Sequence, residues 1–229
     1  YMEEAKATFD TSSFWKKNSL LLLMFYLYED GKLAFDAIFK IIRLWNFSET
    51  DLKIIRDDWS IIHNKILAGR AHELSEGDTF YLAACTKGSK ALAEMREQPF
   101  SEVKAPQRAY SIKSKFVNSI ILDSLNHPEM CHGLFISNRQ KSKIQKIMQD
   151  AENAVRDVSE YQRGETFEQL IERRFSKYYG KTIDEIETAL CKNFGQSKSM
   201  AYDVCRGILG VKAKRIAEFE KAGIAIKTI

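Results

Sequence analysis

Nine consecutive apolar residues, Leu20 to Tyr28, run directly into Glu29-Asp30-Gly31. No other feature restricts the fold as strongly. A helix crossing a membrane takes about 20 apolar residues, so this run is too short to be one. It is rich in leucine and aromatics and ends in a turn signal. That predicts a strand over residues 19–28, buried on both faces. A strand covered on both sides needs further layers, and 229 residues suffice to build them without disulfide staples. Hydrophobic residues at 45 % and charged residues at 29 % are ordinary for a globular chain, and three prolines exclude a collagen-like or disordered one.

The rest of the first half reads as mixed α/β. Residues 33–44 fit either a strand or a helix. Ser48 to Gly69 reads as a helix: Ser48 caps it, Leu52, Ile55, Trp59, Ile62 and Ile66 form one stripe, and Gly69 stops it. Residues 71–84 read as strand, turn, strand. A short helix follows from Ser114 to Leu125, and His127-Pro128 ends it. Beyond, the pattern is helical. Gln140 to Tyr161 reads as a linking helix with charges at (i, i+4) spacing. Thr166–Tyr178, Thr182–Asn193 and Ser197–Leu209 read as three more, with Gly180 and Gly210 as stops. The final Gly223 to Ile229 is β-branched and strand-like, and a strand at the last residue suggests a fragment. The expected fold class is therefore mixed α/β, strand-rich first and helix-rich second.

The net charge of +4 is mild, but it is unevenly placed. Lys87, Lys90, Arg96, Lys104, Arg108, Lys113 and Lys115 face only Glu94, Glu97 and Glu102 over one short stretch. A local basic stripe fits a phosphate footprint and equally a solvated surface. Cys85, Cys131, Cys191 and Cys205 show no paired spacing, and no leader pattern is visible at Tyr1, so free thiols in the cytoplasm are expected.

Two blocks carry a resemblance. The first is Phe9-Asp10-Thr11-Ser12-Ser13-Phe14-Trp15-Lys16-Lys17-Asn18, directly before the apolar run. The second runs from His72 through Asp78 to Thr86-Lys87-Gly88 and on through Gln107 to Phe116, with Arg56-Asp57-Asp58-Trp59 between them. Together they resemble the C-terminal lobe of MutH-type nucleases, and more closely the tandem Sau-three-A-type restriction endonucleases that cut at 5′-GATC. Residues 164–229 resemble the N-terminal lobe of a second, degenerate MutH-like domain, and 126–163 then form a linker.

This resemblance implies a restriction-endonuclease-like fold and Mg²⁺-dependent hydrolysis of duplex DNA containing GATC by the full enzyme. In the family, an Asp…Glu-x-Lys metal site precedes the first block by several tens of residues. Only eight residues precede Phe9, so this chain is expected to lack that site, to bind no Mg²⁺ itself and to be inactive alone. Lys17 matches a family lysine near the scissile phosphate. Glu218 and Lys227 match a second-domain motif in which Ala225 replaces a carboxylate and Arg206 a further acid. Thr86, Lys87, Gly88 and Ser89 match the loop that reads bases in the major groove, where a lysine can contact guanine. Arg108, Lys113 and Ser114 match backbone-positioning residues. Cys85 and Ser111 stand where MutH senses adenine methylation through other residue types, which favours restriction over repair.

The rival readings are a non-catalytic GATC-binding regulatory module and a MutH-like mismatch-repair nicking enzyme. The expected assembly is open between a single chain, a homodimer and a DNA-looped assembly, and no membrane partner is expected. Other groupings have plainer explanations. Glu4-Ala5-Lys6 has Glu-x-Lys form but reads as solvated N-terminal charge. His127, Cys131 and His132 lack a fourth zinc ligand. Trp15, Trp45 and Trp59 read as core.

Overall fold

Helix α2 (Glu49–Leu67) forms where the sequence places it. The Ser48 hydroxyl accepts the Asp51 amide at 3.2 Å and closes its first turn. Ile54, Ile55, Trp59, Ile62 and Ile66 are all buried, one stripe at helical spacing. At the other end Gly69 adopts φ +69°, which releases the chain into a new direction. The computed structural model describes residues 1–27, 31, 38–88, 94–131, 150–195 and 199–226.

A one-turn 3₁₀ segment (Phe9–Thr11) and the short helix α1 (Ser13–Asn18) precede strand β1 (Leu21–Leu27). β1 pairs antiparallel with β2 (Ile38–Trp45), Leu22 facing Leu44 and Met24 facing Ile42. The expectation of burial on both faces fails here. Ile41, Arg43 and Trp45 point inward, whereas Leu22 is 62 % and Leu44 63 % exposed. The two strands form a hairpin pair with a single packed face, so the continuous apolar run does not mark a central strand among the described residues.

Residues 71–84 also differ from the sequence reading. Ala71–Glu73 and Glu76–Asp78 are single 3₁₀ turns, the second closed by a Ser75–Asp78 capping box, and the strand β3 begins only at Leu82 and runs to Thr86. At the entry to β3 the Asp58 carboxylate takes the amides of Phe80, Tyr81 and Leu82, at 2.6–2.8 Å, and holds the chain against α2. β3 pairs antiparallel with β6 (Arg108–Ile112), and β4 (Met95–Gln98) with β5 (Ser101–Pro106). These last three strands are short and mix charged, polar and small residues with isolated apolar ones, so no apolar run marks them. Helix α3 (Ser114–Asn126) follows.

The second half holds α4 (Phe167–Ser176), α5 (Ile183–Leu190), α6 (Met200–Ile208) and α7 (Ala217–Ala222). Thr166 and Thr182 close capping boxes with Gln169 and Glu185. A two-residue parallel pairing joins β7 (Ala151–Glu152) to β8 (Arg215–Ile216). The expected linking helix over 140–161 is not formed over its described part, 150–161, which is the strand β7, extended backbone and one 3₁₀ turn. Side chains take the backbone amides a helix would use: Glu218 binds those of Ala154 and Val155, Glu160 those of Arg156 and Asp157. The expected closing strand is absent as far as Ile226. Gly223, at φ +73°, ends α7 instead.

One cluster of buried residues runs through both halves. Phe9, Phe14, Trp45, Trp59, Tyr81 and Phe116 from the first half share it with Val155, Phe167 and Leu170 from the second, and Trp15 packs at its edge. Lys221 also reaches across to pair with Asp51 at 2.8 Å. Within the described residues no helix is long and apolar enough to cross a membrane.

Candidate nucleic-acid interface

A cleft of about 730 Å³ opens between α1 and the β3–β6 region. Lys17 and Asn18 line one wall, Arg108 and Tyr110 the other, and Arg96 and Lys104 of the β4–β5 hairpin close a third side. Tyr1, Glu3 and Glu4 also line it.

Lys17 lies in the last turn of α1, exposed, and forms no ion pair among the described residues. Ser12 caps α1 by accepting the Trp15 amide at 3.1 Å, and the buried Phe14 ties the helix to the core. Arg108 is half-buried at the start of β6. One of its nitrogens donates to the Ala84 carbonyl at 2.7 Å, which fixes the guanidinium against β3. Thr86 stands directly opposite Arg108 in the β3–β6 register. The loop after Thr86 therefore leaves β3 at the cleft's edge. The backbone of Gln107 holds both ends of that loop: its carbonyl accepts the Lys87 amide at 2.8 Å, and its amide donates to the Glu94 carbonyl at 2.7 Å. Lys87 and Gly88 are exposed, and Gly88 has φ +80°, a conformation that suits glycine. Ser89 lies outside the described residues.

Lys113 and Ser114 stand outside this cleft. They follow the far end of β6, at the start of α3, and do not line the cleft. The Lys113 ammonium donates to the Thr79 carbonyl and its amide to that of Tyr81 at 2.8 Å. Lys113 thus ties the entry to β3 to the start of α3. Ser114 is exposed as the first residue of α3.

Glu218 is buried and separate from Lys17. Its two oxygens accept the amides of Ala154 and Val155, each at 2.9 Å, and burial raises its pKa. It anchors a loop. Lys227, its partner in the degenerate motif, lies outside the described residues. Arg206 pairs with Asp203 and donates to the Ala213 carbonyl, also a structural arrangement.

Most of the cleft residues carried no site assignment from the sequence, among them Arg96, Lys104, Tyr110 and Glu4. Arg96 and Lys104 were visible only as members of the basic stretch. Tyr110 left no signal, and Glu4 read as solvated charge. Yet Glu4 is half-buried, accepting the Ser13 amide at 3.3 Å and the Tyr110 hydroxyl at 3.4 Å.

Glu4 and Glu218 already have both oxygens engaged by protein donors, and among the described residues no three Asp, Glu, His or Cys side chains could together hold a metal ion. The described residues do not fit Mg²⁺. His127 pairs with Glu129 at 3.0 Å and the Cys131 thiol with the Ser124 carbonyl at 3.3 Å, while His132 is outside the described residues. All four cysteines are free. Burial, with Glu76 beside it, raises the Cys85 thiol pKa, which makes it a poor nucleophile.

Comparison with known proteins gives two matches. The MutH family, described as the DNA mismatch repair enzyme MutH, matches residues 1–58, which include Lys17 and Asp58. The type II restriction enzyme Sau3AI of Staphylococcus aureus is 34 % identical over 242 aligned residues, covering 100 % of this chain and 44 % of that enzyme. The chain thus spans less than half the length of this relative.

Proposed function

We propose, from the match of residues 1–58 to the MutH family and the likeness of the whole chain to a type II restriction enzyme, that this chain is the DNA-gripping and DNA-reading part of such an endonuclease. The substrate is duplex DNA, the target 5′-GATC, and the setting cytoplasmic. The observation that carries this reading is the cleft in which Lys17 and Arg108 face each other beside the root of the 86–88 loop. The mixed α/β fold agrees with the restriction-endonuclease-like class of the MutH family.

Each residue then has a physical task. Lys17, whose ammonium has no ion-pair partner among the described residues, sits against a phosphate and stabilises the charge that grows there during phosphodiester hydrolysis. Arg108 uses its remaining donors to fix the register of the backbone. Lys87 meets a base edge in the major groove. Mg²⁺ is proposed for the full enzyme only. The carboxylates among the described residues do not fit it.

Those engaged carboxylates favour a second reading, in which the chain is a regulatory GATC-binding module without chemistry of its own. Cleavage of GATC plasmid with and without Mg²⁺, beside gel shifts on GATC and scrambled duplexes, separates the two from a working nuclease. The expected result is GATC-preferring binding without cleavage. Failure to bind any duplex at low salt would refute the reading. Lys87→Ala is expected to lose about 1–3 kcal/mol of preference for GATC over scrambled sequence. Lys17→Ala should weaken both duplexes equally and flatten the salt dependence by about 0.9 in log–log slope.

A further inference from the structure

The carboxylate of Glu4 joins the two walls of the cleft. One oxygen accepts the amide of Ser13, the first residue of α1, and the other the hydroxyl of Tyr110 on β6. Ser13 and Lys17 are four residues apart on a helix and share a face. Tyr110 and Arg108 are two residues apart on a strand and share a face. Glu4 therefore ties together the two points next to the cations that line the cleft.

Helix α1 needs such a tie. At six residues it is far below the length at which a helix holds itself in water, so its place is set by what it touches. Its Phe14 ring meets the Tyr110 ring edge-on at 5.9 Å, a second contact between the same two elements. Burial, with the Glu4 charge beside it, raises the Tyr110 pKa, so the hydroxyl stays a donor throughout the working pH range.

We infer that Glu4 is a positioning residue, fixing the spacing of Lys17 and Arg108 so that both meet the phosphate backbone of one duplex. The inference rests on the reading of this cleft as a DNA site. It makes a counter-intuitive demand. A carboxylate in a phosphate-binding cleft repels its ligand, so if charge alone mattered, removing Glu4 would tighten binding. Positioning requires the opposite.

The test is fluorescence anisotropy of a labelled GATC duplex between 50 and 200 mM salt. It uses the wild-type chain, Glu4→Gln, Glu4→Ala and Tyr110→Phe, each with and without Lys17→Ala. Glutamine drops the charge and can keep both contacts, its carbonyl oxygen accepting the Ser13 amide and its NH2 group donating to the Tyr110 oxygen, so Glu4→Gln should bind at least as tightly as wild type. Glu4→Ala should bind several-fold more weakly. Lys17→Ala should lower the log–log salt slope by about 0.9 in the wild-type and Glu4→Gln backgrounds, and by clearly less in Glu4→Ala. Tyr110→Phe keeps the ring contact and loses one donor, and should show part of the same loss even if Glu4→Ala proves too unstable to assay. Binding of both Glu4→Ala and Tyr110→Phe as tight as wild type, or an equal Lys17 effect in every background, overturns the inference while leaving the DNA reading intact. No duplex binding by the wild type, or no Lys17 effect there, overturns the DNA reading and the inference with it.

Discussion

Asp58 shows how much one buried side chain can determine. It is fully buried on α2 and accepts three successive amides, from Phe80, Tyr81 and Leu82. Burial pushes its carboxyl up to about 6, outweighing the three N–H donors and Lys113 that pull it down. The folded value lies above the ordinary 3.8, so the folded state takes up the proton more readily. The resulting stability is full below pH 3.8 and is lost as pH rises through 6. Asp58→Asn removes this titration. Urea unfolding should show the gap between wild type and variant widening as pH falls from 7 to 4, by about 2–3 kcal/mol. A gap independent of pH would refute the assignment. Glu165 runs the other way. Its hydrogen bonds from Arg173 are the largest influence and hold it down to about 2, so its contribution is present above pH 4.5 and fades as pH falls towards 2. The Arg56-Asp57-Asp58-Trp59 run marks Asp58 as notable, but no sequence pattern says that its partners lie more than 20 residues ahead.

Among the elements, α2 was fully legible because its cap, stripe and glycine stop act within one turn of their own positions. The β4–β5 hairpin was not. It is held by contacts distant in sequence: the buried Gln98 side chain accepts the Ala71 amide at 2.7 Å, and the turn after it lies against Gly69. A Cβ on Gly69 would sit 2.5 Å from the Phe100 carbonyl oxygen, on a backbone already at φ +69°. Gly69→Ala is therefore expected to cost more than the roughly 1 kcal/mol of the backbone conformation alone. Ser48→Ala, which removes only the α2 cap, should cost about 1 kcal/mol. Denaturant titration of the two variants checks the order; a milder effect at Gly69 than at Ser48 would contradict the close approach. The β1–β2 pair carries the opposite lesson. A run of nine apolar residues made it look central, yet Leu22, Met24, Ile42 and Leu44 face outward. Composition reports what a strand can bury, not whether a second layer covers it.

At the scale of the molecule, the two halves are coupled by burial. Val155, Phe167 and Leu170 fill the same core as Trp59, Tyr81 and Phe116, the Phe80 and Phe167 rings meet edge-on at 5.6 Å, and Lys53 donates to the Glu165 carbonyl at 2.7 Å. A chain cut after residue 125 loses three large core side chains. It should give no cooperative thermal transition, whereas the whole chain should unfold in one. Two separated transitions in calorimetry of the whole chain would show that the halves are energetically independent. Glu218 belongs to this coupling. Glu218→Ala leaves the amides of Ala154 and Val155 buried without acceptors and should destabilise by about 2–4 kcal/mol, as measured by urea unfolding.

The sequence by itself determined the fold class, the long helix, the capped helices of the second half and the kinship to a restriction enzyme. It also placed Lys17, Thr86, Lys87 and Arg108 in one family pattern. These depend on periodicity, capping and residue order, which are local or read directly. Only the tertiary structure decided that Lys17 and Arg108 share a cleft, that Lys113 and Glu218 are committed to backbone groups, and that Glu4 bridges two walls. A carboxylate or an ammonium looks the same in sequence whether it faces solvent, a phosphate or a buried amide. What distinguishes them is desolvation and the partners brought near by the fold, and those exist only once the chain has packed.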